Sequence, residues 1–589
     1  MSGTIYYPLT SPQLSIWYTE RMYSGTSISN VAGTLRIKEK VDIQILKQAI
    51  NLYIKNNDGV RIRICLDDNG DPQQYIADYE YKDIEVKDFS GFEDPVKAMQ
   101  EWDRQETLKP FELLNSELFR FVIIKLNDSD IGFYIITHHI ISDAWNMSLL
   151  GSYIVDYYCR LKKDSNDDSV NNTMPSYTAF IENEQLYLKS DRYEKDKNYW
   201  EKTFETVPET TYLKVRQTNE FSTKTKRKTF ILPKKFTNKL REYCQENKIT
   251  PYPLFLSALA MYINRISEKE DIIIGTPILN RLNRADKNTA GMFVSTVPLR
   301  ISVNSNEPFS DLSQKVLDLC VSSYRHQRYP YDHILKYVRE KHNIKENLYD
   351  IVISYQNSKF DKSFDVEYIT RWHFNENQSN SFTMHINDRD NEGILIIDYD
   401  YHSDLYYDKE IEFIHQHVLS LLWHALDNPK KQICKIEMLT ENEKKKILYD
   451  FNDTYVDYPR EKTIHQLFEE QVERTPDNVA VVFENKKLTY KELNQKANSL
   501  ANVLRNEGIK PNDVVGIMAP RSLEMVIGIL AILKAGGAFL PIEPAFPDDR
   551  KKFLLDNSGA KLLLSTKELL SFEHGIKSID LNDCSNYRQ

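Results

Sequence analysis

Residues 131–145 read IGFYIITHHIISDAW, and the elements expected on either side depend on this segment. Residues 131–137 are apolar almost throughout, which is typical of a β-strand covered on both faces inside an α/β layer. The strand ends in His138 and His139, and a helix is expected to begin near Asp143. Because a strand-to-helix junction can fix a reactive side chain, this segment is the candidate functional site.

The two adjacent histidines cannot readily bind one metal ion together. Successive side chains of a strand point to opposite faces, so only one of His138 and His139 can address a shared substrate. The residues alone leave another interpretation open. In it both histidines are satisfied interior side chains, and Ser142 or Asp143 only caps the helix that follows.

The sequence around this segment predicts further strands and helices. Residues 118–125 are a second apolar run, separated from residue 131 by turn formers at 127–130, which indicates a β-hairpin. Asp42 can cap a helix, and from Gly59 the residues alternate as in a strand that carries Arg61 on its polar face. Similar patterns continue to about residue 435, so two α/β halves with a ligand cleft between them are expected.

A polar and charged segment at 437–459 predicts a linker, partly helical. A new α/β pattern begins after it, with a helix at 464–472, a strand at 479–483 and a helix at 490–508. The chain is therefore expected to contain a second, separate α/β region.

Composition argues against several classes of function. The net charge is −10 and the basic residues form no stripe, which makes a nucleic-acid partner a poor candidate. The longest apolar run, residues 525–533, is about half the length of a membrane-spanning helix, so no membrane partner is expected. No export signal follows Met1, which predicts a cytoplasmic protein. The six cysteines lie far apart, so neither a disulfide framework nor a metal site is predicted.

The string at 138–143 resembles the HHxxxDG signature of condensation domains in nonribosomal peptide synthetases, which are related to chloramphenicol acetyltransferase. Further segments match the same family in the same order over about 435 residues. They are Ser11, Pro12, Gln13 and Trp17; Val60 and Arg61; residues 275–281 (GTPILNR); residues 291–300 (GMFVSTVPLR); residues 326–331 (HQRYPY); and residues 354–357 (SYQN).

The resemblance implies an α/β fold of two chloramphenicol acetyltransferase-like lobes in a V-shaped pseudo-dimer, plus a partial α/β adenylate-forming subdomain. The expected domains are a condensation N-lobe at 1–180, a C-lobe at 181–436, the linker at 437–459, and a truncated adenylation domain at 460–589. A tunnel between the lobes, long enough for a pantetheine arm, belongs to the same expectation.

The resemblance also implies an amide-forming acyltransferase and assigns roles to site residues. His139 is the expected catalytic residue, His138 supports it, and Asp143 is structural through a salt bridge with Arg61. A neutral imidazole can orient the attacking amine or accept its proton. GxSxG is absent and neither a serine nor a cysteine can be tied to His139, so direct transfer without an acyl-enzyme is expected.

The sequence departs from the family pattern at two places. Ala144 stands where the family has glycine, which suggests that a positive φ is not required there. The usual RHExLR stretch is reduced to residues 56–61, NNDGVR. Both changes leave His139 in place, but they weaken assignment to the commonest subtype.

The expected acyl donor follows from the N-terminal region. The first motif begins by residue 11, and residues 16–36 (IWYTERMYSGTSISNVAGTLR) are similar to lipopeptide starter domains. This favours transfer of a fatty acyl group from coenzyme A or an acyl carrier to an aminoacyl thioester on a carrier protein. The alternatives are an elongation domain with a peptidyl carrier donor, a non-catalytic carrier-docking scaffold, and a free-standing coenzyme A acyltransferase.

Residues 460–589 resemble the start of an adenylation domain, through LTYKEL at 488–493 and LKAGGAFLP at 533–541. Neither the Ser/Thr/Gly-rich phosphate loop nor the LGGxS carrier serine occurs. The chain is thus expected to bind no cofactor of its own. The 4′-phosphopantetheine should arrive on a carrier protein or as coenzyme A, and the remainder of the adenylation domain is an expected partner.

Overall fold

A computed structural model describes residues 4–164, 174–215, 222–358, 366–389 and 393–587. The chain forms two compact units, Met1–Asp450 and Phe451–Gln589, which are described separately. The division between them falls within the segment that the sequence predicts as a linker.

The first half of the larger unit contains a five-stranded sheet with helices on both faces. Its elements are β1 (Tyr6–Pro8), α1 (Ser11–Met22), β2 (Asn30–Ile37), α2 (Ile43–Asn56), β3 (Ile62–Leu66), β4 (Pro72–Ile76), β5 (Glu85–Asp88), α3 (Pro95–Thr107), β6 (Phe119–Asn127), β7 (Asp130–His138), α4 (Ala144–Lys163), α5 (Tyr177–Tyr187) and α6 (Asp191–Thr203). The predicted helix after Asp42 and the predicted hairpin of β6 and β7 are both present.

Strand β7 is the centre of this first sheet and is buried along its whole length. Phe133 and Ile135 pack into a core with residues of α2 and α4, whereas Tyr134 and Ile136 pack on the other face, in a cluster with residues of α3. Gly132 permits close strand pairing, because a Cβ there would lie 1.9 Å from the carbonyl oxygen of Leu35 on β2. Burial on both faces explains why this segment is apolar without alternation.

The second half of the larger unit is built on a six-stranded sheet. Its elements are β8 (Thr225–Ile231), α7 (Lys234–Asn247), α8 (Pro251–Ser267), β9 (Asp271–Ile278), α9 (Arg284–Asn288), β10 (Ser295–Ser302), α10 (Phe309–Arg325), α11 (Tyr331–His342), β11 (Ile351–Gln356), β12 (Tyr368–Trp372), β13 (Phe382–Asn387), β14 (Ile396–His402), α12 (Asp408–Asp427) and α13 (Glu441–Leu448). The strand order is β10-β9-β11-β13-β14-β8.

The two faces of this second sheet differ in polarity. On one face, Ile353, Met384 and Tyr399 are buried in the large core that also contains residues of α8 and α12. The opposite face of strands β11, β13, β14 and β8 carries polar residues in matched register, including Ser354 opposite His385. Because successive side chains of a strand point to opposite faces, this sheet has one apolar and one polar face.

Strand β12 links the two halves. It belongs to the second half in sequence but is an edge strand of the first sheet. It pairs antiparallel with β2, which in turn pairs with β7. His373, just after β12, is anchored by a hydrogen bond of 2.6 Å between its Nε2 and Thr34 Oγ1 on β2. This pairing brings the end of β12 close to the second sheet. Trp372 packs against Arg389, and Phe374 packs against Arg227 of β8. The predicted lobe boundary at residues 180 and 181 stays a prediction.

The structure differs from the sequence-based expectation at two boundaries. The strand predicted from Val60 begins at Ile62, because Asp58–Arg61 form a 3-10 turn. His139 lies in a second 3-10 turn, His139–Ile141, rather than in β7. Alternation alone could not reveal either turn, since short 3-10 segments leave little periodic signal.

The smaller unit is an α/β fragment with a four-stranded parallel sheet of order β18-β17-β19-β20. Its elements are α14 (Ile464–Arg474), β15 (Val479–Phe483), β16 (Lys486–Thr489), α15 (Tyr490–Asn506), β17 (Val514–Met518), α16 (Leu523–Ala535), β18 (Ala538–Pro541), α17 (Asp548–Ser558), β19 (Leu562–Ser565) and β20 (Lys577–Asp580). Helix α16 contains the apolar run at 525–533 and contributes Ile527, Ala531 and Ile532 to the core.

Two kinds of feature are missing from the described ranges. None of the helices there is long and apolar enough to cross a membrane. The same residues contain no group of three or more metal-ligating side chains placed to hold an ion.

Candidate active site

His139 stands at the turn that joins β7 to α4. Its backbone N–H donates a hydrogen bond of 2.7 Å to the carbonyl oxygen of Ser29, which fixes the position of the turn. The residue is partly exposed, and its Nδ1 is buried without a hydrogen-bond partner in the described part of the chain. The imidazole is therefore partly exposed on a turn held by a backbone hydrogen bond, and its Nδ1 is not engaged by the described residues.

The His139 imidazole is neutral at physiological pH. Burial lowers its pKa below the ordinary value of 6.5, and the charge of Asp143 opposes this effect only in part. A neutral ring keeps a lone pair, which is required of a group that accepts a proton or a hydrogen bond from an amine.

His138 points into the interior and supports the turn. Its ring is 1% exposed, and its Nδ1 accepts a hydrogen bond of 3.1 Å from the backbone N–H of Ile140. The ring proton therefore lies on Nε2, which is 3.5 Å from the carboxylate of Glu20 on α1. Ser29 donates to the same carboxylate at 2.7 Å. The two histidines thus have different environments, although strand alternation is not the reason, because His139 lies in the 3-10 turn and not in β7.

Helix α1 holds the same turn from a second side. Gln13, one of the residues that carried the family resemblance, donates from Nε2 to the carbonyl oxygen of Ile140 at 3.1 Å. Thr10 and Gln13 form a capping box at the start of the helix, so the position of Gln13 is fixed locally. Trp17 is buried in the core and is not part of the site.

Asp143 makes buried contacts at the start of α4, and its charged partner differs from the one that the resemblance implied. Its carboxylate caps α4 through a hydrogen bond of 2.7 Å from the backbone N–H of Asn146. Both carboxylate oxygens lie 3.2 Å from Nη2 of Arg281, and the two side chains are completely buried. Backbone N–H groups of Phe293 and Val294 also donate to Asp143, at 3.0 and 3.3 Å.

The predicted salt bridge between Arg61 and Asp143 is wrong. Arg61 donates instead to two backbone carbonyl oxygens, that of Ile54 at 3.2 Å and that of Ala77. The physical reason is the turn Asp58–Arg61, which ends at Arg61 and leaves its side chain beside α2 and β4. Arg281 takes the position next to Asp143.

Arg281 is the residue that sequence reasoning missed, although it ends the quoted motif at 275–281. It donates to the carbonyl oxygens of Asp286, Thr289 and Gly291, at 2.5, 2.6 and 3.0 Å, and stacks on the ring of Phe293. It therefore fastens the segment 281–293 of the second half to the start of α4. The available signal was that Arg281, like Arg61, lies in a segment that matches the family.

The family comparison agrees with this architecture. A family model described as Condensation domain matches residues 5–448, and a second, described as AMP-binding enzyme, matches residues 468–585. The chain belongs to the condensation-domain family, and the N-terminal part of an AMP-binding domain follows the condensation domain. Condensation domains are the amide-bond-forming enzymes of nonribosomal peptide synthetases.

Curated relatives are similar along nearly the whole chain. Surfactin synthase subunit 1 from Bacillus subtilis (strain 168) is 35% identical over 98% of this chain and 16% of its own length. Gramicidin S synthase 2 from Brevibacillus brevis is 32% identical over 97% of this chain and 12% of its own length. The chain thus spans only 16% and 12% of the length of these two relatives.

Solved structures share the fold at low sequence identity. A four-domain nonribosomal peptide synthetase bound to AMP and glycine has a TM-score of 0.78 at 19% identity, covering 98% of this chain and 45% of that one. A mutant starter condensation domain of rhizomide synthetase in complex with C8-CoA has a TM-score of 0.65 at 21% identity, covering 74% of this chain and 98% of that one. These matches support the two-lobe condensation fold.

Double-mutant cycles test which arginine is coupled to Asp143. Arg281→Met should destabilise the larger unit by about 3–5 kcal/mol, because it leaves a buried carboxylate without its partner. Combined with Asp143→Asn, it should destabilise by less than the sum of the single variants. Unfolding in urea, followed by a signal of the larger unit, gives the coupling energy.

The matched control is Arg61→Met in the same Asp143→Asn background. Its effect should add to that of Asp143→Asn within about 0.5 kcal/mol, since the two side chains share no hydrogen bond. Coupling of Asp143 to Arg61 that exceeds its coupling to Arg281 would contradict the structure.

Proposed function

We propose that the larger unit transfers a fatty acyl group, carried by coenzyme A or an acyl carrier, to the amine of an aminoacyl thioester on a carrier protein. The carrying observation is the neutral, partly exposed imidazole of His139 on a turn fixed by Ser29 and Gln13. The 4′-phosphopantetheine belongs to the carrier or to coenzyme A. The remainder of the adenylation domain is a further proposed partner of this chain.

The reaction needs one proton acceptor and no covalent intermediate on His139. The amine nitrogen attacks the thioester carbonyl carbon, a C–N bond forms, and the C–S bond breaks. The amine loses one proton to the imidazole, which returns it to the departing thiolate, so the products are an amide and a free thiol. His138 and Asp143 act by holding the turn and do not touch the reacting atoms.

The fatty acyl donor is favoured by the similarity of residues 16–36 to lipopeptide starter domains. The main alternative is an elongation domain that takes a peptidyl donor from a carrier. Retention of His139 and Asp143 argues against a scaffold that only docks carriers. We propose a condensation N-lobe at 1–180, a C-lobe at 181–436, a linker at 437–459 and a partial adenylation domain at 460–589.

Replacement of His139 should slow amide formation strongly without unfolding the chain. His139→Ala removes a partly exposed ring, so the thermal unfolding midpoint should stay within a few degrees of the parent. Loss of the proton acceptor should reduce the rate by about 100- to 10,000-fold. Intact-mass analysis of a loaded carrier measures the product.

His333→Ala is a matched control, because His333 is also half-buried and hydrogen-bonds Tyr193 at a distance from the turn. It should keep the parental rate. Full activity of His139→Ala would contradict the proposed role of the imidazole.

The pH dependence of amide formation should reflect the lowered pKa of His139. As pH falls through the pKa of the folded protein, the ring gains a proton and the rate declines. Because that pKa lies below 6.5, the decline of the rate on the acid side of the pH–rate profile, the acid limb, should have its midpoint below pH 6.5. The measurement is the single-turnover rate between about pH 5 and about pH 9.5, which also covers the ordinary pKa of an amine.

The acceptor amine provides an internal control, since its own deprotonation gives a separate limb near pH about 8. That limb should persist in the residual reaction of His139→Ala, while the acid limb should disappear. An acid limb centred above pH 6.5 in the parent protein would disagree with a buried neutral imidazole.

A donor panel decides between the starter and elongation functions. The chain is incubated with an aminoacyl carrier and, in turn, with octanoyl-CoA, an octanoyl carrier protein or a dipeptidyl carrier protein. The starter proposal expects an acylated aminoacyl carrier from the first or second donor. Product from the dipeptidyl donor alone would establish the elongation alternative instead.

A further inference from the structure

A second histidine, remote in sequence from the HHxxxD turn, lies between a serine and an aspartate. On the polar face of the second sheet, Ser354 Oγ is 2.7 Å from His385 Nδ1, and His385 Nε2 is 3.1 Å from Asp400 Oδ2. The three residues come from adjacent strands, β11, β13 and β14. Such a group is recognised by its geometry and not by position in the sequence.

The hydrogen bonds determine which nitrogen of His385 carries the proton. The carboxylate of Asp400 can only accept, so Nε2 of the neutral ring carries the proton and donates it. The lone pair is then on Nδ1, which is 2.7 Å from the hydroxyl of Ser354 and 3.3 Å from Nε2 of Gln356. This is the arrangement in which imidazole can take the proton of a serine as the oxygen attacks.

Asp400 is fixed in its ionised form. Burial alone would raise its pKa, but hydrogen bonds from Arg227 and His385 outweigh burial and lower the pKa to about 2. Arg227 donates to both oxygens of Asp400 at 2.7 Å. The carboxylate therefore keeps one position and holds the ring of His385 in one orientation.

One amide donor approaches the serine, and an arginine holds that amide. Nε2 of Gln356 lies 3.4 Å from Ser354 Oγ, and Arg389 donates to the side-chain oxygen of Gln356. Nε of Arg389 is buried with no hydrogen-bond partner in the part of the chain that the structure describes. Burial lowers the pKa of Arg389 to about 10, so the guanidinium stays charged at neutral pH. An unused donor on a cation suits an oxygen that develops negative charge.

The group lies beside the segment that follows β12, and not in the large apolar core. Arg389 stacks on Trp372, the last residue of β12, and Arg227 stacks on Phe374. The side chain of His385 is 20% exposed, while Ser354 is 4% exposed. A substrate would reach the serine from the side of His385 and Gln356.

We propose that Ser354, His385 and Asp400 form a second acyl-reactive centre that hydrolyses acyl thioesters and oxoesters. Ser354 Oγ attacks the acyl carbon and its proton passes to His385 Nδ1. The C–S or C–O bond breaks, the leaving group takes that proton, and an ester forms on Ser354. Water then attacks this ester with His385 again as the base, giving a carboxylic acid and regenerating the serine.

A fluorophosphonate probe tests this centre directly, because the activated serine displaces fluoride and forms a stable phosphonyl ester. The full chain should gain one probe mass, and peptide mapping should place the probe on Ser354. Ser354→Ala should lose this label completely, and His385→Gln should label at least about 100-fold more slowly. Release of p-nitrophenol from p-nitrophenyl hexanoate should fall in the same variants.

Ser358→Ala is the matched control, since the Ser358 hydroxyl contacts Ser148 rather than a histidine. It should label like the parent. Thermal unfolding of every variant shows whether loss of label reflects loss of folding, and Ser354→Ala should keep a cooperative transition.

Absence of a Ser354 adduct, in a reaction where chymotrypsin labels fully, would overturn the proposal and leave the three side chains as a structural network. So would ester hydrolysis that is unchanged in a folded Ser354→Ala variant. The labelling reaction needs neither an amine nor a carrier, so its outcome is independent of whether His139 forms amides.

Discussion

The buried contact between Asp143 and Arg281 is the interaction on which the candidate active site depends. Two opposite charges without solvent exposure need hydrogen bonds to offset their loss of hydration. Backbone N–H groups from 146, 293 and 294 donate to the carboxylate, and Nη1 and Nη2 of the guanidinium donate to three carbonyl oxygens, whereas its Nε has no hydrogen-bond partner among the described residues. One ion pair thereby fixes the start of α4 and the segment at 281–293, and with them the turn that carries His139.

Local patterns were sufficient to predict the elements of this site. The run at 131–137 predicted a doubly covered strand, and β7 is buried along its length because helices pack on both faces of its sheet. Ser142 or Asp143 was predicted as a helix cap, and Asp143 is the cap, since capping involves residues only three positions apart. Each of these features is determined by neighbours along the chain.

Contacts between distant residues could not be predicted in the same way. Arg281 is 138 positions from Asp143, and the sequence contained another arginine, Arg61, in a matching motif. The choice between them depends on a 3-10 turn at 58–61 that periodicity does not reveal. Strand β12 is a similar case, because its pairing with β2 joins residues more than 300 positions apart. Local sequence carries no information about which remote edge a strand will meet.

The group of Ser354, His385 and Asp400 also could not be predicted from local sequence. A search for GxSxG tests for a serine on a sharp turn after a strand, whereas Ser354 lies within a strand and its partners come from the next two strands. Parallel pairing puts Ser354 directly opposite His385, and the two-residue period of β14 puts Asp400 on the same face as Asp398, the cross-strand neighbour of His385. Sheet register alone therefore assembles the three side chains. The presence of such a group can be recognised only after the strand order is known.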